Sequence, residues 1–246
     1  MRKRICALAS ALLAALLVSG SVPAGAEPLR LAEDLAAEIR EPLNGGAEYI
    51  YAYRYPQADP ADPSAGGINS FYQYRAEDAA GFEIPMNADY YRSQGTDQDI
   101  RVEITYRITC NRDDFFSVLL STHQEELTTW AGHTFSRQGL RAGSTVALPY
   151  LLGILDSGES DTWLQDRQTA RADELVREMV WERLEAMDGL REDLTEEDLA
   201  YGFFPEEDFY LDENGDPVFY LQPGFAVEGG GLTEIPITLE EILDEM

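Results

Sequence analysis

His123 and His133 are the first residues to test for chemistry, because imidazole is both the commonest metal ligand and the side chain that titrates near neutral pH. They stand ten residues apart, with Glu125 and Glu126 between them. Zinc sites use His and carboxylate ligands, usually closely spaced on one helix or turn, and this pair lacks that spacing. No serine sits in a nucleophile-elbow sequence, and Cys110 has no evident histidine partner. Carboxylates pair up all along so acidic a chain, so no one pair stands out as that of a glycosidase. Asp212-Glu213-Asn214-Gly215-Asp216 looks like a fragment of a calcium loop, but position twelve, which needs a carboxylate, is Pro223. A hairpin turn explains that segment better. The residues therefore point to no catalytic set, no metal site and no cofactor.

Address and charge say more. Arg2, Lys3 and Arg4 precede an apolar run from Ala7 to Val18 and the small residues Ala24-Gly25-Ala26, the pattern of a cleavable secretory signal over residues 1–26. The run falls short of the ~20 strongly apolar residues that span a bilayer. The expectation is a secreted, extracytoplasmic chain of the bacterial cell envelope, with no membrane segment once the signal is removed. Without those three basic residues, the chain's 18 basic and 46 acidic residues become 15 and 46, a balance of −31. Such a surface repels nucleic acid and anionic membranes and attracts a cationic partner. Cys6 leaves with the signal, so Cys110 stands alone and no internal disulfide can form.

The elements that must position any site follow from periodicity. From Ile100 to Cys110 every even residue is apolar or aromatic and every odd one polar, which predicts a half-buried strand with Cys110 on its core face. Phe115–His123 predicts an antiparallel partner, and Thr128–Arg137 a third strand. Tyr49, Tyr51, Tyr53 and Tyr55 stripe one side of a strand ended by Pro56; the stripe suits sugar stacking or, more simply, one half-buried face. Leu31, Leu35 and Ile39, spaced by four, predict a short helix before Pro42. Residues 68–80 predict a helix that Gly81 ends, and 82–91 is ambiguous, with Pro85 against a central strand. Tyr150–Leu155 reads as a short helix. A long amphipathic helix runs from a cap at Ser160 or Asp161 to Met187, and Thr195 opens another with an acid three residues on. Phe209–Leu211 and Val218–Leu221 flank a hairpin, and a strand at Ile235–Leu239 precedes a helix from Glu240 to Met246. The fold class expected is α+β, with antiparallel β-sheet packed by a long amphipathic helix and short helices. Residues 27–246 read as a single domain, compatible with two lobes at 27–95 and 96–246.

Several motifs recur in one order. Tyr51-Ala52-Tyr53-Arg54-Tyr55-Pro56-Gln57 is followed by Ile68-Asn69, then by Trp130-Ala131-Gly132-His133 and Leu148-Pro149-Tyr150-Leu151-Leu152, and then by Phe209-Tyr210-Leu211, Val218-Phe219-Tyr220 and Glu234-Ile235-Pro236-Ile237. In that order and spacing the chain resembles the RsiV-type ectodomain family, which also occurs as the accessory module of PdaC-type peptidoglycan deacetylases. The resemblance implies an α+β fold outside the cytoplasmic membrane and a partner such as lysozyme, another cationic protein or peptidoglycan. The deacetylase portion with its aspartate and paired-histidine motif is absent, so that activity is not implied. It also singles out Trp130 and His133, together with Phe225, Val227 and Glu228, as candidate partner-binding residues. At both places the chain departs from the family: Trp130-Ala131-Gly132 replaces two glycines and an alanine, and Phe225-Ala226-Val227-Glu228 replaces a segment with a Pro-Tyr pair. The expected function is a non-enzymatic binding domain; the alternative is a cell-wall hydrolase using carboxylates.

Overall fold

The computed structural model describes residues 27–155 and 162–246. The expected signal segment, Cys6 and the caps Ser160 and Asp161 lie outside the described residues. Among those described, no helix is long and apolar enough to cross a membrane.

A five-stranded sheet runs in the order β1 (Leu35–Pro42), β2 (Glu48–Tyr55), β3 (Ile100–Asn111), β4 (Phe115–Gln124), β5 (Leu127–Ser136). It takes strands from both sides of residue 95. All neighbours pair antiparallel except β2 and β3, which are parallel. A parallel pair needs a crossover, and here it is helical: α1 (Ala65–Asp78), a π turn (Ala79–Glu83) and α2 (Ile84–Ser93). A second sheet, β6 (Phe209–Leu211), β7 (Pro217–Leu221) and β8 (Thr233–Pro236), is antiparallel. The remaining helices are α3 (Leu148–Leu151), α4 (Thr162–Glu185), α5 (Glu196–Gly202) and α6 (Leu239–Glu245).

Strand parity gives the layers. On β4, Phe116, Val118 and Leu120 join the core under α1 and α2, while Leu119 joins Tyr210, Val218 and Tyr220 of the second sheet. The opposite parity of that sheet, Phe209, Leu211, Phe219 and Leu221, packs on Leu175, Val176 and Val180 of α4. The stacking is thus helix, sheet, sheet, helix. Strands β6 and β7 are buried on both faces, so their sequences read as continuous apolar runs rather than alternating ones.

Several expectations give way to this packing. The helix at Leu31–Ile39 is instead the edge strand β1, since a spacing of four also fits a period of two. Leu35 and Ile39 lie half-buried opposite Tyr55 and Tyr51. Gly81 does not end its helix; the π turn absorbs it and α2 carries on, with Pro85 directly after that turn. The tyrosine stripe is core: Tyr49, Tyr51 and Tyr55 are buried, Tyr53 partly so, and Tyr55 stacks on Tyr72 of α1. The alternation of β3 breaks at a register shift between Ile108 and Cys110. Ile108 is exposed and Cys110 turns to the α4 core, opposite to the face its parity predicts. The short helix near Tyr150 begins earlier, at Leu148, and the last strand ends at Pro236. The hairpin stands as expected. Asp212 accepts the backbone N–H groups of Asn214 and Asp216, so its carboxylate shapes the turn. At Thr195, Asp198 closes a capping box.

Candidate functional site

The second sheet docks on β5 by pinning its open edge. Trp130 N–H donates to Gln222 Oε1 at 2.9 Å, and Gln222 Nε2 donates to Trp130 O at 2.8 Å. Gly132 N–H donates to the Tyr220 hydroxyl at 2.8 Å. A Cβ at Gly132 would lie 1.9 Å from Phe209 O, so glycine is required where β6 crosses β5. One layer in, Ser117 Oγ bonds Thr134 Oγ1 and accepts Leu211 N–H. These contacts fix the floor of a cleft of about 540 Å³ between β5, α1 and the loop before β6.

Phe71 and Trp130 form aromatic walls of the cleft, Arg75 lines it from α1, and Glu206, Glu207 and Asp208 line it from the loop. His133 sits inside. It shares a 3.2 Å hydrogen bond with the Tyr72 hydroxyl through Nδ1, and Phe71 meets its ring edge-on at 4.9 Å. Burial, with help from Arg75, pushes its pKa down to about 3, so it is neutral at any physiological pH. Burial raises the Tyr72 and Tyr220 hydroxyls well above their ordinary range, so neither supplies a base. Asp208 is raised by burial, although Phe204 N–H donates to it at 2.8 Å. The arrangement can hold a ligand by shape, aromatic contact and negative charge, and its histidine is not poised for proton transfer.

A smaller cleft of about 430 Å³ adjoins it, sharing Glu206 and Glu207 and adding Asp173 and Arg177 of α4 with Phe204 and Pro205. Asp173 Oδ1 is buried without a partner in the protein. Burial, then the neighbouring Glu206, raises Asp173 to about 6, against a smaller opposing pull from Arg177. Neither this pair nor Arg75 carries a sequence signal. Acids are too common here to mark one, and the pair forms only across α4 and a distant loop.

The candidate partner-binding residues fall into two groups. Trp130 and His133 line the β5 cleft, both half-buried, the first against the second sheet. Phe225, Val227 and Glu228 lie elsewhere. Phe225 lines a third cleft with Arg191, Asp193 and Tyr201, and its ring lies against Gly202. Val227 packs on the α4 core and Glu228 is exposed. His123 is exposed near the β4–β5 turn and bonds Thr128. It pairs across from Thr128 while His133 pairs with Val118, so the two histidines do not meet.

No protein-family model matches the chain, and no curated protein matches it. Solved structures do. A member of the DUF3298 family from Bacteroides fragilis superposes with a TM-score of 0.52 at 12% identity, over 89% of this chain and 94% of that one. In fold, this chain is similar to a DUF3298 protein. A second DUF3298 family protein, from Pseudomonas aeruginosa, gives 0.48 at 11% identity, over 88% and 93%. At such identity the likeness concerns the DUF3298 fold alone, and the relation to RsiV-type and PdaC-type domains rests on the motifs that suggested it.

Proposed function

We propose that this chain is an extracytoplasmic, non-enzymatic binding domain that takes a cationic protein, of which lysozyme is the type, at the cleft between β5 and the loop at 206–208. The observation that carries the reading is the consecutive acids Glu206, Glu207 and Asp208 on the rim of a cleft walled by Trp130 and Phe71, with Arg75 as the lining's one cation. A basic side chain entering there meets aromatic faces and carboxylates together, the combination that holds guanidinium and ammonium groups. The chain's net charge of −28 supports it by drawing a cationic protein toward the surface from a distance. His133, half-buried and held neutral, supports binding over bond cleavage.

The test is calorimetric titration with lysozyme at low and high salt. The expected result is binding at low salt that weakens at least about tenfold at high salt and weakens similarly in the Glu206→Gln, Glu207→Gln variant. Absence of binding at low salt overturns the reading.

A further inference from the structure

The crossover between β2 and β3 presents a row of large apolar side chains to solvent. Tyr74 is 70% exposed, Phe82 63%, Met86 50% and Tyr90 58%. In an uninterrupted α-helix, at about 100° per residue, Tyr90 would point about 160° away from Tyr74. The π turn at Ala79–Glu83 takes up about one residue, which reduces that angle to about 60° and brings the four onto one side. The buried face records the same insertion: Ile68, Tyr72, Ala76 and Ala79 are followed, after five residues, by Ile84 and then Ala88. Isolated exposed apolar residues need no explanation. An aligned row of four, on the order of 400 Å² of largely apolar surface, is of the size that marks an interaction site.

The charge around the row selects its occupant. Glu77, Asp78 and Asp89 on the same two helices are exposed. Of the two arginines there, Arg75 lies over the Phe71 ring and lines the β5 cleft, and Arg92 is held by Pro42 O and Asp89. A second copy would bring like charges together, and an anionic lipid surface would be repelled.

We propose that this face docks a positively charged amphipathic helix of a partner protein, its apolar side on Tyr74, Phe82, Met86 and Tyr90 and its basic side chains toward Glu77 and Asp78. The surface goes beyond the β5 cleft and does not depend on it. The recognition mode is that of a helix laid on an apolar strip with acidic margins.

The probe is a synthetic leucine–lysine amphipathic peptide of about five helical turns, compared with a scrambled peptide of the same composition. Affinities are measured by calorimetry at low salt for the full chain, the Phe82→Ser, Met86→Ser variant and the cleft variant Glu207→Gln. Both serines replace exposed residues, and an unchanged circular dichroism spectrum and melting temperature establish that the variant folds. The amphipathic peptide should bind at least about tenfold more tightly than the scrambled one, and the serine variant should lose that preference while Glu207→Gln keeps it. Equal binding of the two peptides, an unchanged serine variant, or a dimer in sedimentation that the serine variant abolishes overturns the proposal.

Discussion

Replacing Asp173 by Asn isolates a carboxyl pair that the fold brings together from α4 and the loop before β6. In the native protein Asp173 Oδ1 is buried without a donor, Glu206 is its neighbour, and burial raises its pKa to about 6 from an ordinary 3.8. Between those values the folded state holds a proton that the unfolded chain has lost. The group's favourable contribution is therefore complete below about pH 3.8, declines as pH rises, and is gone above about 6. By linkage the full loss would be about 3 kcal/mol. Asp173 is half-exposed, and solvent screening brings this to about 1 kcal/mol. Asparagine mimics the protonated form at every pH, since its amide can donate to Glu206 without charge. The variant should match the wild type near pH 4 and be more stable by about 1 kcal/mol at pH 7, a gain of about 2–4 °C in melting temperature for a chain of this size. Urea or thermal unfolding of both proteins from pH 3.5 to 7.5 reads the difference, and only the difference, because many other carboxylates titrate in the same range. A gap that does not widen between pH 4 and 6.5, or a variant less stable at pH 7, refutes the reasoning.

Other consequences can be checked in the same assays. Burial holds His133 neutral down to about pH 3, so carbon or nitrogen chemical shifts of its ring should show no protonation at pH 5. Its sign is opposite to that of Asp173: the unfolded chain binds the proton first, and this contribution to stability falls as pH drops from about 6.5 toward 3. Gly132→Ala places a methyl 1.9 Å from Phe209 O and should cost about 3 kcal/mol or more in urea unfolding, with the docking of the second sheet disturbed first. Arg137 and Asp62 form a largely enclosed ion pair at 2.8 Å. Arg137→Ala leaves the carboxylate with the Ser64 N–H and hydroxyl as its remaining donors and should cost about 3 kcal/mol, a fall of roughly 10 °C in melting temperature.

Much of the fold is legible because its cause is local. The alternation from Ile100 to Ile104, the Asp212–Asp216 turn, the Thr195 capping box and the apolar spacing of α4 are each written within a few residues, and each stands where that pattern puts it. The pattern fails where two structures share one spacing. Leu35 and Ile39 satisfy a helix and a strand alike, and only pairing with Tyr55 and Tyr51 chooses the strand. At Cys110 a single register shift sends the thiol to the opposite core, which no alternation within β3 can announce. Gly132 reads in sequence as a departure from a family motif; in the structure it is the point at which β6 crosses β5.

The sequence by itself determined the acidic balance and the α+β class, because charge and periodicity are properties of the chain whatever its path. Only the tertiary structure decided that Trp130 and His133 share a cleft with Glu206–Asp208 while Phe225, Val227 and Glu228 do not, and that Asp173 faces Glu206. Those neighbours come from α1, α4, β5 and a loop, brought together by two sheets stacking face to face. Contacts of that range depend on which faces are buried against each other, and one strand or one helix carries no record of its partner.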